Sequence, residues 1–276
     1  MRRQEQNSTL KDSWAADSPV DISTVFRSCL GYASTPGWAF IQQVVRRTFS
    51  RYEGLETIEL GCGEGKGSLL FSLQGAKTTL VDNSPAQLER AKTIAERFTA
   101  EPVLVEENLL HLPTSFKARF DVSLSFGTAE HFFGPDRQRV FDVHRSVLRN
   151  GGLAFVWVPN RYGALVHASV ALRKLMARQV SEIPEKSFTR TELYRYARRS
   201  GFHEAKVIGG ESLAHDFNAF VVDLPRLLRW PAHRKTFTDA NTAREELLRR
   251  LLQNRASIRP WNNFLSYPLI LAARNA

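Results

Sequence analysis

Short strand-like runs alternate with helix-like segments along most of this chain, and this alternation constrains its fold more than any other feature. Segments with helical spacing, such as 85–98 and 137–148, separate the first five runs. Strands that alternate with helices form a parallel sheet that helices cover on both faces. The sequence therefore predicts a doubly wound α/β fold. Seven runs rich in β-branched and apolar residues are its candidate strands: 57–60, 78–81, 103–105, 122–126, 153–158, 205–208 and 268–272.

Composition places the chain among ordinary folded proteins. Of its 276 residues 43% are hydrophobic and 24% are charged, which is close to the average for globular domains. Its two cysteines, Cys29 and Cys62, exclude a disulfide framework and a four-cysteine zinc site. The amino terminus has no apolar segment of the signal-peptide kind, and no later stretch is long and apolar enough to span a bilayer. A reducing, cytoplasmic location is expected.

The net charge of the chain is compatible with several kinds of binding partner and does not distinguish among them. The formal net charge is +10 at pH 7. Such a surface attracts nucleic acid, anionic lipid or an acidic substrate, yet most basic faces are simply solvated. Charge alone therefore does not indicate the chemistry.

Two helix starts and two interruptions organise the chain. Ser84 before Pro85 predicts a capped helix start, and Thr189 with Glu192 has the spacing of a capping box in a helix that Gly201 ends. We expect an N-terminal helical cap over residues 1–52 and one main domain over residues 53–276. Within that domain, segments at about 161–187 and 211–263 stand outside the alternation and are predicted to be lid insertions.

The sharpest local motif is a strand that runs directly into a glycine-rich turn. Residues 57–68 read TIELGCGEGKGS, with glycine at alternate positions 61, 63 and 65. A turn without Cβ atoms lets a ligand approach the backbone, and the following helix N-terminus offers free N–H groups. This combination predicts a nucleotide or nucleoside site.

Spacing separates the classes of glycine-rich loop. A phosphate-binding loop fails because the interval from Gly61 to Gly65 is one residue short and Lys66 is followed by glycine. A dinucleotide fingerprint fails because Lys66 stands at the third glycine position. What remains is an acidic residue, Glu59, followed by G-x-G-x-G. This pattern resembles the first motif of the class I S-adenosylmethionine-dependent methyltransferases.

Downstream residues extend the resemblance. Asp82 closes the second predicted strand, where the family's carboxylate accepts the ribose hydroxyls of the adenosine. Asn108, four residues before Leu112-Pro113, matches the polar residue that meets the adenine amino group, with Leu109 beside the ring. The resemblance covers residues 57–160 in order and resumes at 188–209 and 267–272. It implies S-adenosyl-L-methionine as the cofactor and S-adenosyl-L-homocysteine as its product.

The resemblance also implies which residues bind the cofactor and where the chemistry occurs. Glu59 is expected to face the cationic amino-acid end of the cofactor. Glu130 and His131, after the fourth strand, are candidate catalytic residues near the transferred methyl group, although they could instead hold the loop by hydrogen bonds. The histidines show no metal-ligand spacing, so no metal site is predicted. The expected cofactor-binding residues are Glu59, Gly61, Cys62, Gly63, Gly65, Asp82, Asn83, Asn108, Leu109, Ser125 and Phe126.

For the whole chain, the resemblance implies a seven-stranded Rossmann-like sheet whose last strand is antiparallel. The expected activity is methyl transfer to a small-molecule acceptor, apolar or acidic, on oxygen rather than nitrogen. The narrower resemblance is to O-methyltransferases of the ubiquinone pathway. The alternatives are a methyltransferase that acts on nucleic acid or another macromolecule, and a non-catalytic S-adenosylmethionine-binding interaction protein. Residues 125–128 lack the Asn-Pro-Pro-aromatic stretch of adenine-amino methyltransferases, which disfavours nucleic acid.

Two stretches of the predicted insertions bear on the partner. Residues 163–180 have an apolar helical face that includes Leu165, Leu172 and Met176, beside the basic residues Arg173 and Lys174. This pattern predicts a lid over the acceptor, and its alternative is a helix that contacts an anionic membrane surface. Residues 226–259 carry a local excess of arginine. Such an excess usually marks a solvent-exposed face of a protein.

Overall fold

A computed structural model gives the structure of this protein and describes residues 20–163, 167, 183–210, 240–254 and 268–276. The helices are α1 (Ile22–Ser34), α2 (Pro36–Phe49), α3 (Lys66–Ser72), α4 (Pro85–Arg97), α5 (Pro135–Val147), α6 (Arg190–Arg199) and α7 (Ala240–Gln253). The strands are β1 (Glu56–Leu60), β2 (Lys77–Asp82), β3 (Val103–Glu106), β4 (Phe120–Phe126), β5 (Leu148–Val158), β6 (Glu204–Gly209) and β7 (Leu269–Arg274). Short 3-10 turns occupy Leu109–His111, Thr114–Phe116 and Ala129–His131.

These seven strands form one twisted sheet in the order β3-β2-β1-β4-β5-β7-β6. The first five strands pair in parallel, whereas β7 runs antiparallel to both β5 and β6. The predicted α/β sheet with an antiparallel last strand is thus confirmed. Strand β5 begins five residues earlier than predicted, because Leu148 already pairs with Phe120 before a register shift in β4. Residues 149–152 are polar or glycine, so a search for apolar runs does not detect the start of this strand.

Local sequence chemistry sets the helix ends as predicted. The Ser84 hydroxyl accepts the N–H of Gln87 at the start of α4. At the start of α6 the Thr189 hydroxyl accepts the N–H of Glu192, while Glu192 Oε2 accepts the N–H of Thr189 at 2.8 Å. Gly201 follows α6 with φ +83°, a left-handed conformation that costs glycine little. The predicted capping box is confirmed.

Helices cover both faces of the sheet, and the alternating side chains of β5 show how. Phe155 and Trp157 join the cluster that contains α1, α2, α3 and α7. Ala154, Val156 and Val158 join the opposite cluster, with α5 and α6. Two apolar layers therefore enclose the central strands, whose carboxyl ends stay available for a site.

The predicted insertions fall mostly outside the described residues. The helix predicted at 163–180 lies outside them, apart from Gly163 and His167, and so does most of the basic stretch 226–259. The described part of the second insertion is α7, which is anchored to the body of the protein: Leu247 is buried, and Asn254 donates to the carbonyl of Ala33 at the end of α1. Among the described helices, none has both the length and the apolar character that crossing a bilayer requires.

Gly37 lies where α2 packs closely against the backbone at the edge of the sheet. Its N–H donates to the carbonyl of Gly210 at 2.7 Å, and a Cβ there would lie 2.6 Å from that oxygen and 2.8 Å from the Gly210 Cα. Since backbone cannot move aside as a flexible side chain can, we expect Gly37→Ala to lower the free energy of unfolding by about 1–3 kcal/mol. Urea denaturation of the variant measures this loss.

Gly31→Ala is the matched control, since this residue lies in α1 and a Cβ there would meet no atom of the described residues within 4 Å. Alanine is the better helix former by about 0.5–1 kcal/mol, so this variant should be as stable as the parent or more stable. Equal denaturation midpoints for Gly37→Ala and the parent protein would contradict the close docking of α2.

Candidate functional site

The glycine loop, residues 61–65, connects β1 to α3 at the carboxyl edge of the sheet. Gly61, Gly63 and Gly65 have φ values of +67°, +50° and +67°. The N–H groups of Gly61 and Cys62 donate to the carbonyl of Val81 at 2.8 and 3.0 Å. The loop is therefore folded against the end of β2 in a conformation that favours glycine.

The three glycines of the loop serve different purposes. A Cβ at Gly61 would lie 2.4 Å from Thr128 Cγ2, and one at Gly65 would lie 2.8 Å from Leu80 Cδ1. At Gly63 the nearest atom would be Gln87 Oε1, at 3.9 Å. Packing within the protein thus accounts for Gly61 and Gly65, whereas Gly63 faces space that a ligand can occupy.

Asp82 holds the glycine loop at the end of β2. Its Oδ2 accepts the N–H of Gly63 at 2.8 Å, and its Oδ1 accepts the N–H of Ser84 at 2.9 Å. Burial raises the pKa of this carboxyl above its usual value. Each carboxylate oxygen has a second acceptor site, so both can also take a hydrogen bond from a ligand. Asn83, the next residue, is exposed.

Glu59 lies beneath the glycine loop and is only 2% exposed. Its Oε2 accepts the N–H of Ser68, in the first turn of α3, at 2.8 Å. Burial is the main cause that raises its pKa, to about 7, and the nearby Asp82 contributes in the same direction. The carboxylate therefore binds the N-terminus of α3, where the helix dipole favours a negative charge.

Other predicted cofactor residues lie around this loop with structural partners of their own. Asn108 Oδ1 accepts the N–H of Leu110 at 2.9 Å and caps a 3-10 turn, which leaves its amide N–H₂ for other partners. Leu109, in that turn, is buried. Cys62 packs with Leu80 behind the loop, and burial raises the pKa of its thiol well above the usual value. This thiol is therefore not a reactive thiolate.

Ser125 and Phe126, which are adjacent in β4, point to opposite faces of the sheet. The Ser125 hydroxyl is fully buried and lies 3.0 Å from Nε2 of His144, on the α5 side. Phe126 lies on the other face, where its ring stacks on Trp38 with centroids 6.1 Å apart and fills the space above Gly67. The structure brings Phe126 to the neighbourhood of the glycine loop and places the Ser125 side chain away from it.

Thr128 joins the glycine loop to the segment that follows β4. Its hydroxyl donates to the carbonyl of Gly61 at 3.0 Å, and its methyl group lies where a Cβ of Gly61 would be. Sequence reasoning missed this residue, since a threonine in a loop has no distinguishing pattern. The contact makes the loop before α3 and the loop after β4 adjacent parts of one site.

A cavity of about 370 Å³ opens beside this junction, and we call it the β4–β5 cavity. The described residues that line it come from α1, from the carboxyl ends of β4 and β5, and from the segment before α6. Tyr32, Phe126 and Trp157 supply aromatic walls, whereas Glu130 and Glu185 supply carboxylates. Sequence analysis did not reveal Glu185, which lies 55 residues after Glu130.

Glu130 is the most unusual group of the cavity. It is only 3% exposed, and its Oε2 has no hydrogen-bond partner among the described residues. Burial is the main cause that raises its pKa, to about 8; Glu185 raises it further and Arg137 lowers it. An unpaired buried carboxyl is costly, which is typical of a group kept for function.

His131 and Glu185 lie beside Glu130. The Nδ1 atom of His131 is 3.0 Å from the carbonyl of Pro184, so this histidine helps to hold the segment before α6. One ligand atom from each of the three side chains lies within 4.8 Å of the others, close enough to share a cation. The sequence prediction of no metal site rested on spacing along the chain, which does not register such a tertiary cluster.

Buried Arg137 fixes the position of Glu185. Its guanidinium donates to the carbonyls of Lys186 and Ser187 at 2.8 and 3.2 Å. The same guanidinium stacks over the ring of Phe188, with Cζ 3.4 Å from the centroid. Because Arg137 belongs to α5, these contacts tie the segment that carries Glu185 to the body of the protein.

Comparison with known proteins identifies relatives of this arrangement. Residues 58–156 match the family described as "Methyltransferase domain". The chain is 31% identical over 147 residues to a carboxy-S-adenosyl-L-methionine synthase of Yersinia enterocolitica, a match that covers 50% of this chain and 53% of the relative. It is 30% identical over 120 residues to a Mycobacterium tuberculosis protein named "Probable S-adenosylmethionine-dependent methyltransferase", covering 44% and 41%.

The fold also resembles solved structures along nearly the whole chain. A chain from the Haloferax volcanii complex of the Trm112 methyltransferase activator with a methyltransferase matches with a TM-score of 0.55 and 17% identity, over 96% of both chains. At this identity the likeness is one of fold. The chain spans about half the length of the curated relatives it matches.

Proposed function

We infer that this chain, whose residues 58–156 belong to the class I S-adenosylmethionine-dependent methyltransferase family, is an enzyme that transfers a methyl group to a small-molecule acceptor. One observation carries the proposal: the Thr128 hydroxyl joins the glycine loop, which fits the cofactor, to the segment that lines the β4–β5 cavity. The narrower ubiquinone-pathway resemblance and the cytoplasmic location stay predictions.

The residues of the glycine loop fit S-adenosylmethionine. A Cβ at Gly63 would project into open space, so the backbone there can contact a ligand directly. Asp82 has acceptor capacity left on both oxygens for a pair of ribose hydroxyls. Glu59 belongs to β1, and its carboxylate lies at the start of α3, close enough to the loop to favour the cationic amino-acid end of the ligand. We assign these three residues to the cofactor.

S-adenosylmethionine supplies an electrophilic methyl group on a sulfonium sulfur. The protein then has to hold a nucleophile in line with that group, exclude water and accept a proton from the nucleophile. We assign the aromatic walls of the β4–β5 cavity to limiting the access of water, and Glu130 to accepting the proton. His131 is assigned to holding the loop through the carbonyl of Pro184.

Asp82 provides the first test of the cofactor assignment. Asp82→Ala should weaken binding of both S-adenosylmethionine and S-adenosylhomocysteine, by about 1.5–3 kcal/mol for each charge-assisted ribose hydrogen bond that is lost. Asp82→Asn is the matched variant, since its amide oxygen can still accept the N–H of Gly63 and so preserve the loop. Titration calorimetry of the folded proteins measures both affinities. Unchanged affinity in Asp82→Ala would refute the ribose assignment.

A methyl-transfer screen tests the class of acceptor. Protein with methyl-labelled S-adenosylmethionine is offered pools of amines, phenols, quinols and fatty acids, and separately RNA and DNA. The proposal expects label in the small-molecule fraction. Label in nucleic acid would instead support the macromolecular alternative, which the net charge of +10 encourages.

A further inference from the structure

Three aromatic rings line the β4–β5 cavity and pack against one another. The Tyr32 and Trp157 centroids are 5.6 Å apart, those of Phe126 and Trp157 are 5.8 Å apart, and those of Tyr32 and Phe126 are 6.1 Å apart. The faces of aromatic rings carry partial negative charge and attract cations, above all organic ammonium ions. These walls therefore favour a ligand that is both apolar and positively charged.

Carboxylates in the cavity also favour a positively charged ligand. Glu130 lines the cavity with a buried oxygen that has no hydrogen-bond partner in the described part of the chain, and the more exposed Glu185 lies beside it. The positively charged group that acts on Glu130 is Arg137, whose guanidinium is directed at the backbone carbonyls of Lys186 and Ser187 and at the ring of Phe188. Glu185, together with Glu130 in its ionised form, therefore makes the described lining of the cavity net negative.

We propose that the β4–β5 cavity binds the methyl acceptor as an organic ammonium ion, paired with Glu130 and in contact with the aromatic wall formed by Tyr32, Phe126 and Trp157. This inference rests on the proposed function and narrows it to nitrogen methylation. A divalent metal ion is disfavoured because the three rings offer it no ligand atoms, whereas an amine with an apolar substituent uses rings and carboxylate together. An acidic acceptor, one of the sequence-based expectations, would meet repulsion from Glu185 and, in its ionised form, from Glu130.

The same arrangement explains how an ammonium ion becomes a nucleophile. A proton passes from the ammonium nitrogen to the Glu130 carboxylate and leaves a lone pair on the neutral amine. That lone pair forms the new bond to the methyl carbon. The carbon–sulfur bond breaks at the same time, and the electron pair of the broken bond stays on sulfur. The products are a methylated ammonium ion, a neutral thioether and a protonated Glu130, so charge and atoms balance. Burial favours this protonated form of Glu130.

Comparing the affinities of two ligands of nearly the same shape separates the effect of ligand charge from that of ligand shape. At about pH 8.5, above the pKa of about 8 that burial gives Glu130, benzylamine is still mainly an ammonium ion and benzyl alcohol is neutral. We expect calorimetry on the full chain saturated with S-adenosylhomocysteine to show at least tenfold tighter binding of benzylamine, roughly the contribution of one cation–π or ion-pair contact in a desolvated site. Glu130→Gln should remove most of that preference and leave benzyl alcohol binding unchanged.

Three further variants show which residues cause the preference. Glu101→Gln removes one exposed carboxylate outside the cavity and should keep the full preference. Tyr32→Phe retains the ring face and should keep the preference, whereas Tyr32→Leu should reduce it. If Glu101→Gln lowers the preference as much as Glu130→Gln does, the effect is one of net charge and the proposal fails.

The remaining outcomes are distinguishable from failure of the proposed function. Binding of S-adenosylhomocysteine is measured first, and its absence would refute the methyltransferase assignment itself. If it binds and benzylamine shows no preference over benzyl alcohol, only the ammonium inference is overturned. Titration with MgCl₂ alone is the third arm, because Glu130-dependent Mg²⁺ binding would show that the cluster with His131 and Glu185 is a metal site instead.

Discussion

Glu130→Gln should lower kcat by about 10²–10⁴-fold, the usual contribution of a positioned proton acceptor. Glutamine keeps the size of the side chain but accepts no proton from the nucleophile. Since Glu130 lies in the cavity and not in the glycine loop, affinity for S-adenosylhomocysteine should be unchanged. Steady-state kinetics with the best acceptor of the screen, together with calorimetry, separate the two quantities.

The pH profile distinguishes a proton acceptor from a residue that only shapes the cavity. Burial raises the pKa of Glu130 to about 8, so in the free enzyme its basic form is populated only as pH rises through that value. We expect kcat/KM to increase with pH through about 8 in the parent protein and to lack this limb in Glu130→Gln. A variant that loses activity but keeps the same limb would assign the titration to another group.

Gly63→Val should reduce affinity for S-adenosylmethionine by at least about a hundredfold, because a branched side chain would fill the space that the ligand needs. The φ of +50° adds strain of about 1–2 kcal/mol for any L residue, but no described atom obstructs the new Cβ. The variant is therefore expected to fold with somewhat lower stability and without cofactor binding. Calorimetry and thermal denaturation measure the two effects.

Gly54→Val is the control for that strain. Gly54 lies in the turn before β1 with φ +78°, and a Cβ there would meet nothing within 4 Å. It should lose comparable stability and retain full affinity for S-adenosylmethionine. If both variants lose affinity together, loss of stability and not steric exclusion is the cause, and Gly63 has no direct role in binding.

Local patterns were sufficient to predict most of the fold. The strands could be predicted because buried parallel strands are continuous apolar runs. The start of α6 could be predicted because the side chains of Thr189 and Glu192 each accept the backbone N–H of the other residue. Period-two alternation also argues against expecting Ser125 and Phe126 in one site, since adjacent strand residues point to opposite faces. The pairing of Ser125 with buried His144 is the physical result.

The candidate site was only partly predictable. Gly63 follows the end of β1 in a glycine-rich turn and Asp82 is the last residue of β2, so the sequence pattern indicated both. The contact between Thr128 and Gly61 and the approach of Glu185 to Glu130 depend on how distant segments meet across the sheet. No spacing along the chain encodes such meetings. The sequence therefore indicated the cofactor side of the site better than the acceptor side.

The hydrogen bond from Thr128 to the Gly61 carbonyl also constrains the thermodynamics of binding. It joins the loop assigned to the cofactor to the segment that carries Glu130, so a ligand that reorients one backbone perturbs the other. Whatever factor the cofactor applies to acceptor affinity, the acceptor must apply to cofactor affinity in the same measure. Any gain in acceptor affinity that the cofactor produces through the Thr128 junction is therefore matched by an equal gain in cofactor affinity when the acceptor is bound.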